Sequence, residues 1–263
     1  MADPRNTLTR SQLPAKEAHR FGLGSVAQVE SVPNGHWMFG ADWLDSCGSN
    51  VLVAPNNCDP LLDPQDRVKT WFALQSGVGT DDFTLYGFHR CSAVGDTVSE
   101  RMDYATDELD LGQWYAVERR FITAVIAESV SPYPAGISGA TNALAALLSA
   151  WNKPVSPIVH MTINVAIALG SQIQNKGDHL ELRTGERVVI GYGYDVGLAN
   201  ATEGTIALTG PVFATVGSTS GLGGETIDRE SNTYLALAER PFSIGYLCDS
   251  THVNVNNVIT TTA

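Results

Sequence analysis

Apolar positions change their spacing along this chain, and each change marks a different kind of element. Between Trp37 and about Val98 they come as short, aromatic-containing runs, HWMFGADW, VKTWFALQ and DFTLYGFH, parted by turn clusters such as APNNCDP and LLDPQD. Runs of that length bounded by Asn, Asp, Pro and Gly predict strands and loops. Residues 45–66 are rich in turn formers, without a clear period, and predict a long loop. Residues 1–35 are polar and broken by Pro14, Pro33 and glycines 22, 24 and 35. They predict an extended arm rather than a packed element.

The spacing then becomes helical. In DELDLGQWYAVERRFITAVIAES, residues 107–129, an advance of about 100° per residue puts Leu111, Trp114, Tyr115, Val117, Phe121, Ile122, Val125 and Ile126 on one half of a cylinder. Asp107, Glu108 and Asp110 crowd the first turns, where acids suit the helix dipole, and Pro132 and Pro134 stop it. Glu118 falls in the middle of the apolar half. A buried carboxylate is costly unless paired, so it calls for an arginine of the same chain or a partner on a neighbouring subunit.

Further on, NALAALLSAW (142–151) is apolar all round and predicts a buried helix. SPIVHM predicts a short buried strand, with Thr162 as the cap of a third helix over 163–174. HLELRTGERVVIGYG alternates on both sides of Thr184-Gly185, a β-hairpin pattern. Residues 204–216, 233–247 and 252–260 predict further strands, and the glycine-rich 217–231 a loop.

Charge narrows the partners. The chain has 16 basic and 28 acidic residues, a net charge of −12, and its lysines are Lys16, Lys69, Lys153 and Lys176 alone. Such a surface does not attract phosphate backbones, although it suits a wall that confines DNA without holding it. There is no apolar run of about 18 residues and no signal-peptide core, which predicts a protein made in a cytoplasm without membrane contact. Cys47, Cys58, Cys91 and Cys248 are then expected to be thiols; their spacings include no C-x-x-C metal pattern.

Catalytic motifs are missing. VVIGYGYDVG (188–197) looks like a dinucleotide loop, yet its spacing is G-x-G-x-x-x-G and no helical pattern follows. Its glycines read instead as a strand end accommodating Tyr192 and Tyr194. No G-x-S-x-G, H-E-x-x-H or P-loop occurs, and the six histidines are scattered. His160 is the best single candidate, but a lone His is more often a satisfied structural residue. No catalytic, cofactor-binding or metal-binding residue is assigned, and an enzyme is not expected.

The order of elements, an arm, a β-rich loop region, a long amphipathic helix, a mixed domain and a return strand, resembles the major capsid proteins of tailed double-stranded DNA phages. Those share the Hong Kong 97-type fold with encapsulins. Locally the resemblance rests on Gly177–Leu182, Arg187–Ile190, Thr205–Val212 and NTYLALAER (232–240), within about 36–260. It implies an α+β fold with an N-terminal arm (1–35), an extended β loop and peripheral domain containing the spine helix (36–130), an axial domain (131–230) and return strands to the peripheral domain (231–263). It further implies a structural virion protein that assembles with itself into pentamers and hexamers of an icosahedral head around double-stranded DNA. Scaffold, portal and decoration proteins would be further partners. Glu118, Arg119, Arg120, Trp43 and Lys69 are the inter-subunit contact candidates, Lys69 also standing where some members cross-link to a neighbour's asparagine. Alternatives are a tail, baseplate or head–tail joining protein, an encapsulin-like compartment, or a small hydrolase acting through Glu118 or a cysteine.

Overall fold

The computed structural model describes residues 20–32, 78–79, 83–92, 97–129, 131–133, 135–195, 203–228 and 233–258. Two sheets and one long helix carry the architecture. Helix α1 runs from Val98 to Glu128, beginning nine residues before the acidic turns at which the sequence pattern places its start. The signal that sets this start is Thr97-Val98-Ser99-Glu100: the Thr97 hydroxyl accepts the Glu100 N–H and the Glu100 carboxylate accepts the Thr97 N–H, a reciprocal capping box. Its buried face is narrower than the sequence half-cylinder. Val117, Phe121, Ile122 and Val125 are buried, whereas Leu111 and Tyr115 are exposed.

The first sheet is built on the 14-residue strand β12 (Thr233–Tyr246). On one side it pairs with β10 (Val212–Gly217) and β11 (Ser220–Asp228), and on the other with β2 (Val78–Gly79) and β3 (Phe83–Ser92). Strand β1 (Gln28–Val32) adds to β10 in parallel. Its period-2 pattern puts Leu85, Ala236, Ala238, Phe242 and Ile244 against α1 in one core.

The second sheet has the order β4-β13-β9-β5-β8-β7-β6. Its strands are β4 (Ile137–Ser138), β5 (Ile158–Met161), β6 (Ile173–Asn175), β7 (Leu180–Leu182), β8 (Arg187–Ile190), β9 (Gly204–Thr209) and β13 (Ser250–Asn256). All four residues of β5 are buried, as expected for a central strand, the polar His160 among them. Val159 and Met161 pack with helix α2 (Ala140–Ala150), while Ile158 joins the α1 core on the opposite face. The β7–β8 hairpin turns at Thr184-Gly185 as expected, with Gly185 at φ 102°.

Several expectations change. Residues 20–32 are not an extended arm: Leu23 is fully buried and 28–32 are strand β1, because Leu23 fills the space beside the helix that the polar pattern around it hid. The glycine-rich loop expected over 217–231 is largely strand β11, whose edge-on pairing with β12 supplies the ladder that its sequence does not advertise. Helix α2 is buried along one face only; its outward positions include Thr141, Asn142 and Ala145. Helix α3 is short, Ile163–Ala168, giving way to a 3-10 turn and β6 where a helix to 174 is expected. The sheets also divide the chain differently from the expected split at 230/231. Strands β10 and β11 belong to the first sheet, and β13 returns to the second. The run 204–216 thus serves two sheets, crossing at Gly210-Pro211 beside the return crossing at Leu247–Asp249. Cys248 lies in that crossing and is disulfide-bonded, which corrects the expectation of four free thiols.

Candidate functional site

The densest buried polar arrangement is centred on Glu118. Its side chain is 2% exposed at the middle of α1. One carboxylate oxygen accepts the Leu23 N–H at 2.9 Å and the other the Gly193 N–H at 3.0 Å, with the Tyr192 backbone close by. The arginine partner expected from sequence is therefore replaced by backbone N–H groups of the same chain. Amide groups from a tight turn serve a carboxylate as an anion nest would, and no sequence period announces them. Burial pushes the Glu118 carboxyl above its ordinary 4.5, and these backbone groups oppose that shift.

Gly193 is the glycine of 188–197 that meets the helix. A Cβ there would lie 2.6 Å from the Tyr115 carbonyl oxygen and 2.7 Å from Glu118 Cβ, so only glycine lets this turn seat on the helix. The strand end expected at this point is a 3-10 turn, Tyr192–Tyr194. Tyr192 stands outside and Tyr194 is buried.

From Tyr194 the polar chain continues inward. Its hydroxyl meets His160 Nδ1 at 2.9 Å, and His160 Nε2 meets the Thr209 hydroxyl at 2.8 Å. The Thr209 hydroxyl donates its one proton to the Gly210 carbonyl. It must therefore accept from Nε2–H, which leaves Nδ1 to accept the Tyr194 O–H. His160 is thus the satisfied structural histidine, neutral, with burial pulling its pKa down to about 3. Burial and the nearby Glu118 carboxylate raise the Tyr194 phenol well above 10.0.

The remaining sequence candidates fall elsewhere. Arg119 and Arg120 are exposed on α1, Arg119 over the Tyr115 ring at 5.8 Å and Arg120 over Phe83 at 5.2 Å. Trp43 and Lys69 lie outside the described residues. Sequence reasoning missed Arg240, which bridges from β12 to Asp110 (3.0 Å), Gln113 and Thr219. A single arginine in an apolar strand run, NTYLALAER, was its signal. It also missed the outward pair Tyr86 and Phe88 on β3, where DFTLYGFH is apolar on both sides of its alternation. Among the described residues no group of three or more His, Cys, Asp or Glu side chains is placed to hold a metal ion, and no helix is long and apolar enough to cross a membrane.

No family model and no curated protein matches the sequence. Solved structures do match in fold. The head of Helicobacter pylori bacteriophage KHP40 superposes with a TM-score of 0.55 at 10% identity, over 97% of this chain and 96% of the other. The capsid of a native GTA particle gives 0.55 at 12% identity over 98% and 96%. The acidic stable capsid of Helicobacter pylori bacteriophage KHP30 gives 0.53 at 9% identity over 97% and 100%. The chain has the fold of phage-head subunits, end to end in both partners of each comparison. That fold is the α+β Hong Kong 97-type architecture, with α1 as its spine helix.

Proposed function

We propose that this protein is a structural subunit of a virion, a major capsid protein that assembles with itself into a closed head. The carrying observation is the fold shared with phage-head and GTA capsid subunits over 96% or more of both chains. The polar chain from Glu118 to Thr209 supports the same reading: its groups are buried and answered by one another, whereas an active site keeps a reactive group open to substrate.

In this reading subunits form pentamers and hexamers around packaged double-stranded DNA, made in the host cytoplasm and ending in the virion. The net charge of −12 suits a wall that does not hold its cargo. Glu118, the fifth residue expected at subunit contacts, is buried against backbone N–H groups of its own chain, so Arg119, Arg120, Trp43 and Lys69 are the candidates for contacts between subunits, with scaffold, portal and decoration proteins as further partners. The peripheral domain would be the first sheet with α1, and the axial domain the second sheet with α2.

Negative-stain electron microscopy with sedimentation of the purified full chain tests this. Closed shells, pentamers or hexamers are the expected products, with a scaffold protein supplied if the chain alone stays monomeric. Tubes or single rings under both conditions would place it in a tail or neck instead.

A further inference from the structure

The turn that joins β6 to β7 places a histidine ring between two carboxylates. The Lys176 N–H donates to the His179 carbonyl at 3.0 Å, and the Gly177 N–H to Asn175 Oδ1 at 2.8 Å, with Gly177 at φ 99°. In the turn so fixed, His179 Nδ1 lies 2.6 Å from Asp178 Oδ1 and Nε2 lies 2.9 Å from Glu181 Oε1. The His179 side chain is 18% exposed, against 86% for Asp178 and 27% for Glu181.

A carboxylate only accepts, and a neutral imidazole has a single N–H to give. Neutral His179 would satisfy one acid and set a nitrogen lone pair against the other; the imidazolium donates to both. Asp178 is open to water, and its bond from His179 holds its carboxyl below the ordinary 3.8, so the second proton belongs to the ring. Other charges face the group. Lys176 Nζ is 3.9 Å from Glu181, Arg187 lies opposite Glu181 on β8, and Arg20 donates to the Gly177 carbonyl. These cations disfavour a charged ring, whereas both carboxylates bond it directly, and direct contact is the stronger effect. The hydrogen bonds to Glu181 first and Asp178 second accordingly raise His179 above its ordinary 6.5.

We propose that His179 is a pH-operated clasp on the β6–β7 turn: as an imidazolium it holds Asp178 and Glu181 together, and on losing its proton it releases Asp178. The proton leaves Nδ1 for water, and Nε2–H stays on Glu181. Glu181 is the acid retained because it is the less exposed, and an ion pair open to water is worth least. The turn then carries one more negative charge, on a chain already at −12. The clasp is complete below the ordinary 6.5 and is lost as pH rises through the raised value. It belongs to the single subunit and does not depend on what that subunit assembles into.

The test is histidine C2–H exchange of the full-length protein across pH, read by mass spectrometry, with the same residue in urea as reference. The His179 midpoint is expected above the urea value. Glu181→Gln and Asp178→Asn should each lower it, and the double variant should bring it to the urea value or below. Backbone exchange of the peptide spanning 176–182, corrected for its intrinsic pH dependence, should lose about threefold protection as the wild type passes its midpoint, the scale of one exposed ion pair. Asp178→Asn should show no such step, since an amide can accept from Nδ1–H or donate to bare Nδ1. A wild-type midpoint at or below the urea value, or one that neither variant lowers, would overturn the proposal. So would the absence of the backbone step in the wild type, or its survival in Asp178→Asn. Should a variant not fold, the wild-type midpoint and backbone step decide.

Discussion

The Tyr194 hydroxyl donates to His160 Nδ1 across 2.9 Å, in a place from which water is excluded. This contact ties the turn on the spine helix to the central strand of the second sheet. The Phe121 ring packs over the imidazole at 5.2 Å between centroids, so the histidine is closed in by the helix as well. Nothing in the pair is spare, and that is why it makes a good joint and a poor catalytic site.

His160 should make the fold sensitive to acid. Its pKa is lowered from 6.5 to about 3, so the unfolded chain takes up a proton that the native state refuses. The contribution is fully present above about pH 6.5 and is lost progressively as pH falls towards 3, on the order of a few kcal/mol in total. Urea denaturation at stepped pH is expected to show this slope in the wild type. His160→Gln should be less stable at neutral pH and flatter across the same window; an unchanged slope would count against the assignment.

Glu118→Ala removes the acceptor of the Leu23 and Gly193 N–H groups in one stroke. Leaving buried donors unanswered costs about 2–4 kcal/mol here, with water entering the cavity to recover part of it. Chemical denaturation measures the loss directly. A change below about 0.5 kcal/mol, the scale of ordinary surface substitutions, would mean that the joint contributes nothing to stability.

At Gly193 a single methyl group meets helix backbone: Tyr115 O at 2.6 Å and Arg119 N at 2.8 Å. Backbone cannot swing aside, so Gly193→Ala is expected to lift the turn and destabilise by about 1–3 kcal/mol. Loss of the Tyr194–His160 contact should follow, seen as a faster-exchanging Tyr194 hydroxyl by NMR. Gly112→Ala, with nothing within 4 Å of the added atom, is the internal comparison and should be tolerated.

Thr97→Ala breaks the capping box at the start of α1. The expected cost is about 1 kcal/mol, read from the thermal midpoint. The same box holds the Glu100 carboxyl below its ordinary 4.5, through the Thr97 N–H first and its hydroxyl second. Its stabilising contribution is therefore present above about pH 4.5 and fades as pH drops through the lowered pKa. Thr97→Ala keeps the backbone N–H at position 97, so only the hydroxyl's share of that acid response should be lost.

Assembly should respond to Arg119→Glu with Arg120→Glu. Both side chains are exposed on the spine helix, so reversal of their charge is expected to leave the fold intact by circular dichroism. If they meet neighbouring subunits as proposed, shell formation falls sharply in electron micrographs. Normal shells from the double variant would remove both residues from the subunit contacts.

Local pattern by itself determined much of this molecule. The apolar run of β5, the alternation around Thr184-Gly185 and the helical period through Phe121, Ile122 and Val125 each bury a face whatever surrounds them, so the elements were legible from residue spacing alone. The capping box at Thr97 was written there too. Tertiary structure decided the rest, because the missing information lay in partners far apart along the chain. A carboxylate at position 118 states that it needs donors but not which ones, and the amides of Leu23 and Gly193, 95 and 75 residues away, carry no side-chain signature. In the same way Ser220–Asp228 became a strand once β12 offered it a ladder, and 204–216 was shared between sheets. Backbone hydrogen bonds are available to every residue, so sequence is silent about where they go, and packing alone settles it.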